Sequence, residues 1–178
     1  MVKFKGLMAA LAFAGLLSGI APAAYAEGPT PGAVAPVTQS FGAWQGRCEQ
    51  NQAGTETCTI AFEVKSEQSQ QTVLFFGIGK RPGEGHFSFI LLPLGVALPV
   101  GVQISVDGTE LARIPYQVCI PSGCQAGFGP TDEFLQKIKA GNEMTISVVD
   151  IRQGAITLNV SLSGVTAALN WLDTKHPG

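Results

Sequence analysis

Charge is what this chain has least of: 11 Lys and Arg and 13 Asp and Glu make up only 13% of 178 residues. There is no basic excess. The formal net charge is −2, and setting aside Lys3 and Lys5 of the N-terminal run takes it two units lower. Such a surface carries no electrostatic footprint for nucleic acid or for an anionic bilayer, so neither is expected as a partner. Histidine is nearly missing, with His86 and His176 alone. No Gly-x-Ser-x-Gly, His-Glu-x-x-His or Ser-x-x-Lys occurs, so no catalytic residues are assigned and no enzyme is expected. His86 would become a candidate base only if it were buried beside a carboxylate, and its loop flank does not look rigid. After Ile20 no apolar run approaches the ~20 residues of a spanning helix. Good helix formers give way to 22 Gly and 11 Pro, a balance that points to β structure.

What is present begins with an export signal. Lys3 and Lys5 precede an apolar run from Gly6 to Ile20, and Ala24-Tyr25-Ala26 supplies a small-x-small cleavage pattern. Residues 1–26 are therefore expected to be a cleaved secretory signal peptide, leaving no membrane span. The reading continues with a flexible Pro- and Gly-bearing leader over 27–38, a single domain over 39–173 and a frayed tail over 174–178. All four cysteines follow the signal, and export makes disulfides their default state. Three connectivities are open; the local one, Cys48–Cys58 with Cys119–Cys124, is expected because each pair flanks a turn. Metal binding is disfavoured, since Cys-x9-Cys with Cys-x4-Cys lacks the tight pairs of zinc knuckles and neither histidine is near. No Cys-x-x-Cys marks a redox site. No cofactor is expected. Gly77-Ile-Gly79 with Gly83 and Gly85 fits neither the dinucleotide fingerprint nor the P-loop, and reads as part of a hairpin. The protein is placed in the periplasm, on the outer surface or among secreted products.

Period-two alternation recurs along the chain. Strands are predicted over Gln39–Cys48, Cys58–Val64, Thr72–Ile78, Phe87–Leu92, Val100–Val106, Leu111–Val118, Met144–Val148 and Ile156–Leu162, with a turn at Asp107-Gly108. Thr131 or Asp132 caps a short helix with Phe134, Leu135 and Ile138 on its apolar stripe. A last helix starts after Ser163 and carries Val165, Ala168, Leu169 and Leu172, with a polar tail from Asp173. Seven or eight strands with two short helices spell a mainly β chain: an immunoglobulin-like, two-sheet antiparallel β-sandwich. The second cysteine loop, with Tyr116, Ile120, Pro121 and Phe128 around it, is the first place to seek an interface, because a disulfide-pinned loop loses little entropy on binding. Arg81 and His86 of the glycine-rich loop are further candidates, for an acidic partner.

These residues also carry a resemblance. Phe41-Gly-x-Trp44 before Cys48, Leu92-Pro-Leu-Gly-Val-x-Leu98, Gly101-Val102, Ile114-Pro115-Tyr116, Cys119 with Gly123-Cys124-Gln-Ala126, and Ser161-Leu-Ser-Gly164 form a spaced series that resembles the invasion-associated locus B family of exported bacterial proteins. Val165 departs from the phenylalanine expected there. The resemblance implies an envelope protein of immunoglobulin-like β fold, tied in some pathogens to host-cell entry, and brings no catalytic residues with it. The function expected is a non-enzymatic protein-interaction module for an envelope or host protein of unknown identity. The alternative is a small-ligand carrier or envelope-assembly accessory protein.

Overall fold

The computed structural model describes residues 37–50, 54–81 and 83–175. The expected signal peptide, the leader up to residue 36 and the tail from His176 lie outside the described residues. In chain order the elements are β1 (Val37–Phe41), β2 (Trp44–Gln50), β3 (Glu56–Lys65), β4 (Thr72–Lys80), β5 (His86–Leu92), β6 (Val102–Val106), β7 (Thr109–Ile114), β8 (Tyr116–Ile120), β9 (Gly123–Phe128), α1 (Asp132–Ala140), β10 (Glu143–Asp150), β11 (Gly154–Ser161) and α2 (Val165–Lys175). The strands form a large sheet in the order β1-β2-β3-β4-β5-β9-β8 and a small one in the order β11-β10-β6-β7. Neighbours in both sheets are antiparallel, so the two-sheet sandwich with two helices that the alternation predicts is the fold present. The core is the inward half of each alternation: Ile60, Phe76, Ile78 and Ile90 from the large sheet face Ile104, Met144, Ile146 and Val160 from the small one.

Among the described residues eleven strands replace the eight predicted, for three local reasons. The stretch Gln39–Cys48 is broken by a turn at Gly42, whose φ of +60° a non-glycine residue rarely adopts. Leu111–Val118 is broken at Pro115, where the chain leaves β7 of the small sheet and enters β8 of the large one. Gly123–Phe128, where no strand is predicted, pairs with β5 and β8. Its Gly, Ala and Gly positions hid it, because it buries backbone and small side chains and not a bulky alternation. Val100 also falls outside β6, in a single 3₁₀ turn over Leu98–Val100. The Asp107-Gly108 turn is present, with φ of +46° and +81°. Asp107 does more than turn the chain: its carboxylate accepts from the backbone N–H of Asn142 (3.1 Å) and Glu143 (3.0 Å), and these bonds hold it below the usual carboxylate range.

The helices fit the same logic. Thr131 Oγ1 accepts from the Phe134 N–H at 3.2 Å, and Phe134, Leu135 and Ile138 are buried. Helix α2 answers a mismatch of width, because seven strands cannot be covered on their inner face by four. Its Ala168, Leu169 and Leu172 are buried, and the Trp171 ring occupies the space a side chain on Gly46 of β2 would need. The helix runs on to Lys175, so the polar segment from Asp173 supplies its last turn, and Thr174 and Lys175 of the expected frayed tail are helical.

The turn between β1 and β2 locks against the entry to α2. Trp44 Nε1 donates to the Ser161 carbonyl at 2.9 Å, and the Ala43 N–H donates to the Ser163 carbonyl at 3.2 Å. Gly164, at φ +91°, lies so close that a Cβ there would sit 2.0 Å from the Phe41 carbonyl oxygen. Gly108 shares a positive φ, yet a Cβ on it would meet nothing within 4 Å. Gly108→Ala should therefore cost about 1 kcal/mol, the conformational term alone. Gly164→Ala should cost about 3 kcal/mol or more, because backbone must also move. Urea unfolding of the two variants checks the difference, and equal losses would show that the turn-to-helix contact is not tight.

Candidate functional site

Both disulfides join residues directly opposite on neighbouring strands of the large sheet. Cys48–Cys58 links β2 to β3 on the inner face and is buried; Cys119–Cys124 closes the β8–β9 hairpin, with Cys119 exposed and Cys124 buried. Among the described residues one group of potential metal ligands gathers, Cys48, Glu56 and Cys58. Its two sulfurs are bonded to each other, which leaves no thiolate to bind an ion.

The six candidate interface residues do not share one surface. Ile120 and Pro121 are exposed at the tip of the β8–β9 hairpin. Phe128 lies at the other end of β9, five residue steps or about 17 Å away along the strand. There it turns edge-on to Phe134 of α1, with ring centroids 5.2 Å apart, and is half-buried. Tyr116 packs against the core, and burial pushes its hydroxyl up to about 12. Arg81 is exposed, pairs with Glu84 at 3.2 Å and lies over the Phe87 ring at 4.4 Å. The apolar rim expected around the second disulfide is thus reduced to Ile120 and Pro121, joined by Val118 on the same strand.

His86 is where the structure departs furthest from the loop reading. It is the first residue of β5, directly opposite Lys80 of β4, and only 16% of its side chain is exposed. Its Nε2 lies 3.0 Å from Asp173 Oδ1, and Lys80 Nζ lies 3.2 Å from the same oxygen. The histidine is therefore held beside a carboxylate, as a catalytic base would be. The other group on that oxygen is an ammonium, however, and all four cysteines are in disulfides. The arrangement clasps the last turn of α2 to the sheet. Asp173 was missed because, at the end of a short polar segment, it looks like tail; its i+4 spacing from Leu169 on the buried stripe was the available signal.

Two concavities add to these surfaces. One, about 450 Å³, opens at an end of the sandwich between Val73, Leu92, Leu94, Val96, Ile156 and Leu158, with Asp150 and Arg152 at its mouth. There the Asp150 carboxylate accepts from the Arg152 N–H (2.8 Å) and Gln153 N–H (2.9 Å), which hold it below the usual carboxylate range. The other, about 640 Å³, lies on the outer face of the large sheet, from Thr38 of β1 across to Phe75 of β4 and Phe89 of β5. No local pattern signals it, because Phe75 and Phe89 look like core residues of a strand covered on both faces.

The clasp on α2 has a measurable consequence. Asp173→Asn should lower the unfolding free energy by about 1 kcal/mol, as a half-exposed ion pair does, and speed amide exchange in the last turn of α2. Unchanged exchange in that turn would mean the three side chains do not hold the helix end.

Residues 44–173 match the family model described as Invasion associated locus B (IalB) protein. An invasion protein B homolog of Brucella abortus is 25% identical over 141 residues, covering 79% of this chain and 81% of the relative. Invasion protein B of Bartonella bacilliformis is 26% identical over 147 residues, covering 80% of this chain and 77% of the relative. The crystal structure of invasion associated protein B from Bartonella henselae superposes with a TM-score of 0.68 at 20% identity, covering 78% of this chain and 96% of that one, and so shares the fold. The match runs from Trp44, which anchors the first hairpin, to Asp173, which anchors the last helix, and the chain belongs to the invasion associated locus B family.

Proposed function

We propose that this is a non-enzymatic envelope protein, exported to the periplasm or the outer surface, that acts as a protein-interaction module. The observation that carries the reading is the edge strand β8. It pairs with β9 on one side and ends the sheet on the other, and Val118 and Ile120 are 47% and 49% exposed. Cys119–Cys124 holds it in register, so an extended segment of a partner can add to a strand that is already ordered. Leu98 and Val100, also exposed, line a shallow cleft with Pro115 at the entry to β8 and extend the apolar surface. The oxidised cysteines support the non-enzymatic reading, since they offer no thiolate; His86 does meet the condition set for a base, and the reading takes its pairing with Asp173 and Lys80 as structural. The names of the relatives make host-cell invasion and virulence the first setting in which to seek the partner.

Ile120→Asp places a charge on the docking edge while leaving the core alone. In a quantitative envelope pull-down this variant should lose at least one protein that the parent retains, and an unchanged set of retained proteins would remove β8 as the interface. Phe128→Asp is the wrong variant for that purpose, since it would bury a carboxylate against Phe134.

The apolar cleft at the open end of the sandwich favours a second reading, a small-ligand carrier that places an apolar body among Leu92, Val96 and Leu158. Native mass spectrometry of protein taken from its own envelope separates the two. A retained nonpolar adduct that Leu158→Arg abolishes supports the carrier; a clean apo mass supports the interaction module alone.

A further inference from the structure

The outer face of the large sheet is built for something other than water. Strands with one solvated face place polar side chains outward. Here the outward positions at the centre are Phe75, Gly77 and Gly79 on β4 and Phe87 and Phe89 on β5. The two glycines set the attitude of the rings. A Cβ on Gly79 would lie 2.1 Å from Phe87 Cζ and 2.6 and 2.7 Å from its two Cε atoms, which puts the ring nearly flat above the strand. Phe89 lies over Gly77 in the same way, with Cζ and Cε1 at 2.6 and 2.7 Å. The planes of Phe87 and Phe89 differ by 17°, and those of Phe89 and Phe75 by 22°, with centroids 6.3 and 5.5 Å apart. Phe75 and Phe89 thus tile a platform with one broad face turned outward, and Phe87 extends it under the Arg81 guanidinium, which lies 4.4 Å from its centroid.

The surroundings of the platform define its ligand. On the β1 side it is bordered by Gln45, Arg47 and Thr59, and on the β8 side by Gln125 and by Gln117, whose Nε2 donates to the Gly127 carbonyl at 3.2 Å. These are amides, a hydroxyl and a guanidinium, groups that donate and accept at a ring's perimeter. The charges on this side are matched: Arg47 with Glu49, Lys65 with Glu63, and Arg81 with Glu84. A matched surface neither draws an anion nor steers a charged protein.

A pyranose fits that description. One face of the sugar ring presents C–H groups, which are attracted to the negative face of a phenyl ring, while hydroxyls project around its edge. We propose that this face is a carbohydrate-binding site, on which a short uncharged glycan lies across the sheet with its rings on Phe75 and Phe89 and its hydroxyls on the flanking amides and the Arg81 guanidinium. From β5 to β1 are four inter-strand spacings, about 19 Å, a span that takes several linked sugars and not one. Its rim reaches β8 at Gln117, but its aromatic centre lies on β4 and β5, and the proposal does not rest on the protein-docking role.

The test uses the full mature, oxidised chain and three uncharged probes: linear oligomers of β-1,4-linked N-acetylglucosamine, of β-1,4-linked glucose, and of mannose. Each is titrated while backbone amide shifts are followed by NMR. At least one oligomer should move amides of β2 to β5, and Phe87→Ser with Phe89→Ser should weaken that binding about tenfold or more. Gly77→Val, which forces the Phe89 ring off the strand, should act in the same direction. Should these variants fold poorly, Gln45→Ala with Gln125→Ala removes rim contacts from exposed or half-exposed positions and must also weaken binding. Absence of shifts with all three probes, shifts confined to other surfaces, or variants that bind as the parent does would each overturn the proposal. A protein partner lost by the platform variants, with no sugar bound, would overturn it in favour of protein docking.

Discussion

The indole of Trp44 is the point on which this fold turns. It is fully buried, packs against Phe62 and Phe76 of its own sheet, and spends its one donor on the Ser161 carbonyl of the other. A buried indole N–H without a partner would be costly, so the bond fixes the small sheet's last strand relative to the large sheet's first hairpin. The glycine contacts beside it, Gly42 on Ser163 and Gly164 on Phe41, leave the chain no other path into α2. From that entry the helix lays Trp171 on Gly46 and reaches the Lys80–His86 pair with Asp173.

Unequal sheet widths explain most of what is available for function. The inner excess of the large sheet is covered by α2, but nothing among the described residues covers its outer face or lies beyond β8. The protein therefore offers two surfaces of different character, a disulfide-held edge that can be extended by a strand and a broad face with an aromatic centre. The cleft at the open end is a third, smaller one. None of them places a nucleophile beside a base.

Much of the architecture was legible in the residues. Alternation marked the strands that bury large side chains, such as β6 and β10, and the Thr131 cap and apolar stripe marked α1. The three missed strand features share a cause: β1 and β2, β7 and β8, and β9 are defined by a glycine turn, a proline crossing and small buried residues, which carry no period-two hydrophobic signal. The surfaces were harder. Whether Phe75, Phe87 and Phe89 face the core or the solvent depends on which side of the sheet is covered, and that is decided by sheet widths no local pattern contains. His86 was misjudged for a related reason. Its environment is made by a carboxylate 87 positions away, and a glycine-rich flank says nothing about such a partner.

Each disulfide joins adjacent strands of one layer, across separations of 10 and 5 residues, and neither crosses from one layer to the other. Oxidation can therefore be finished hairpin by hairpin as the polypeptide emerges, without waiting for distant segments to meet. The two layers, by contrast, adhere through packing and hydrogen bonds alone. Under a pulling force they would peel apart while every covalent link stayed intact, and on release the surviving hairpins would re-anneal from a pre-registered start.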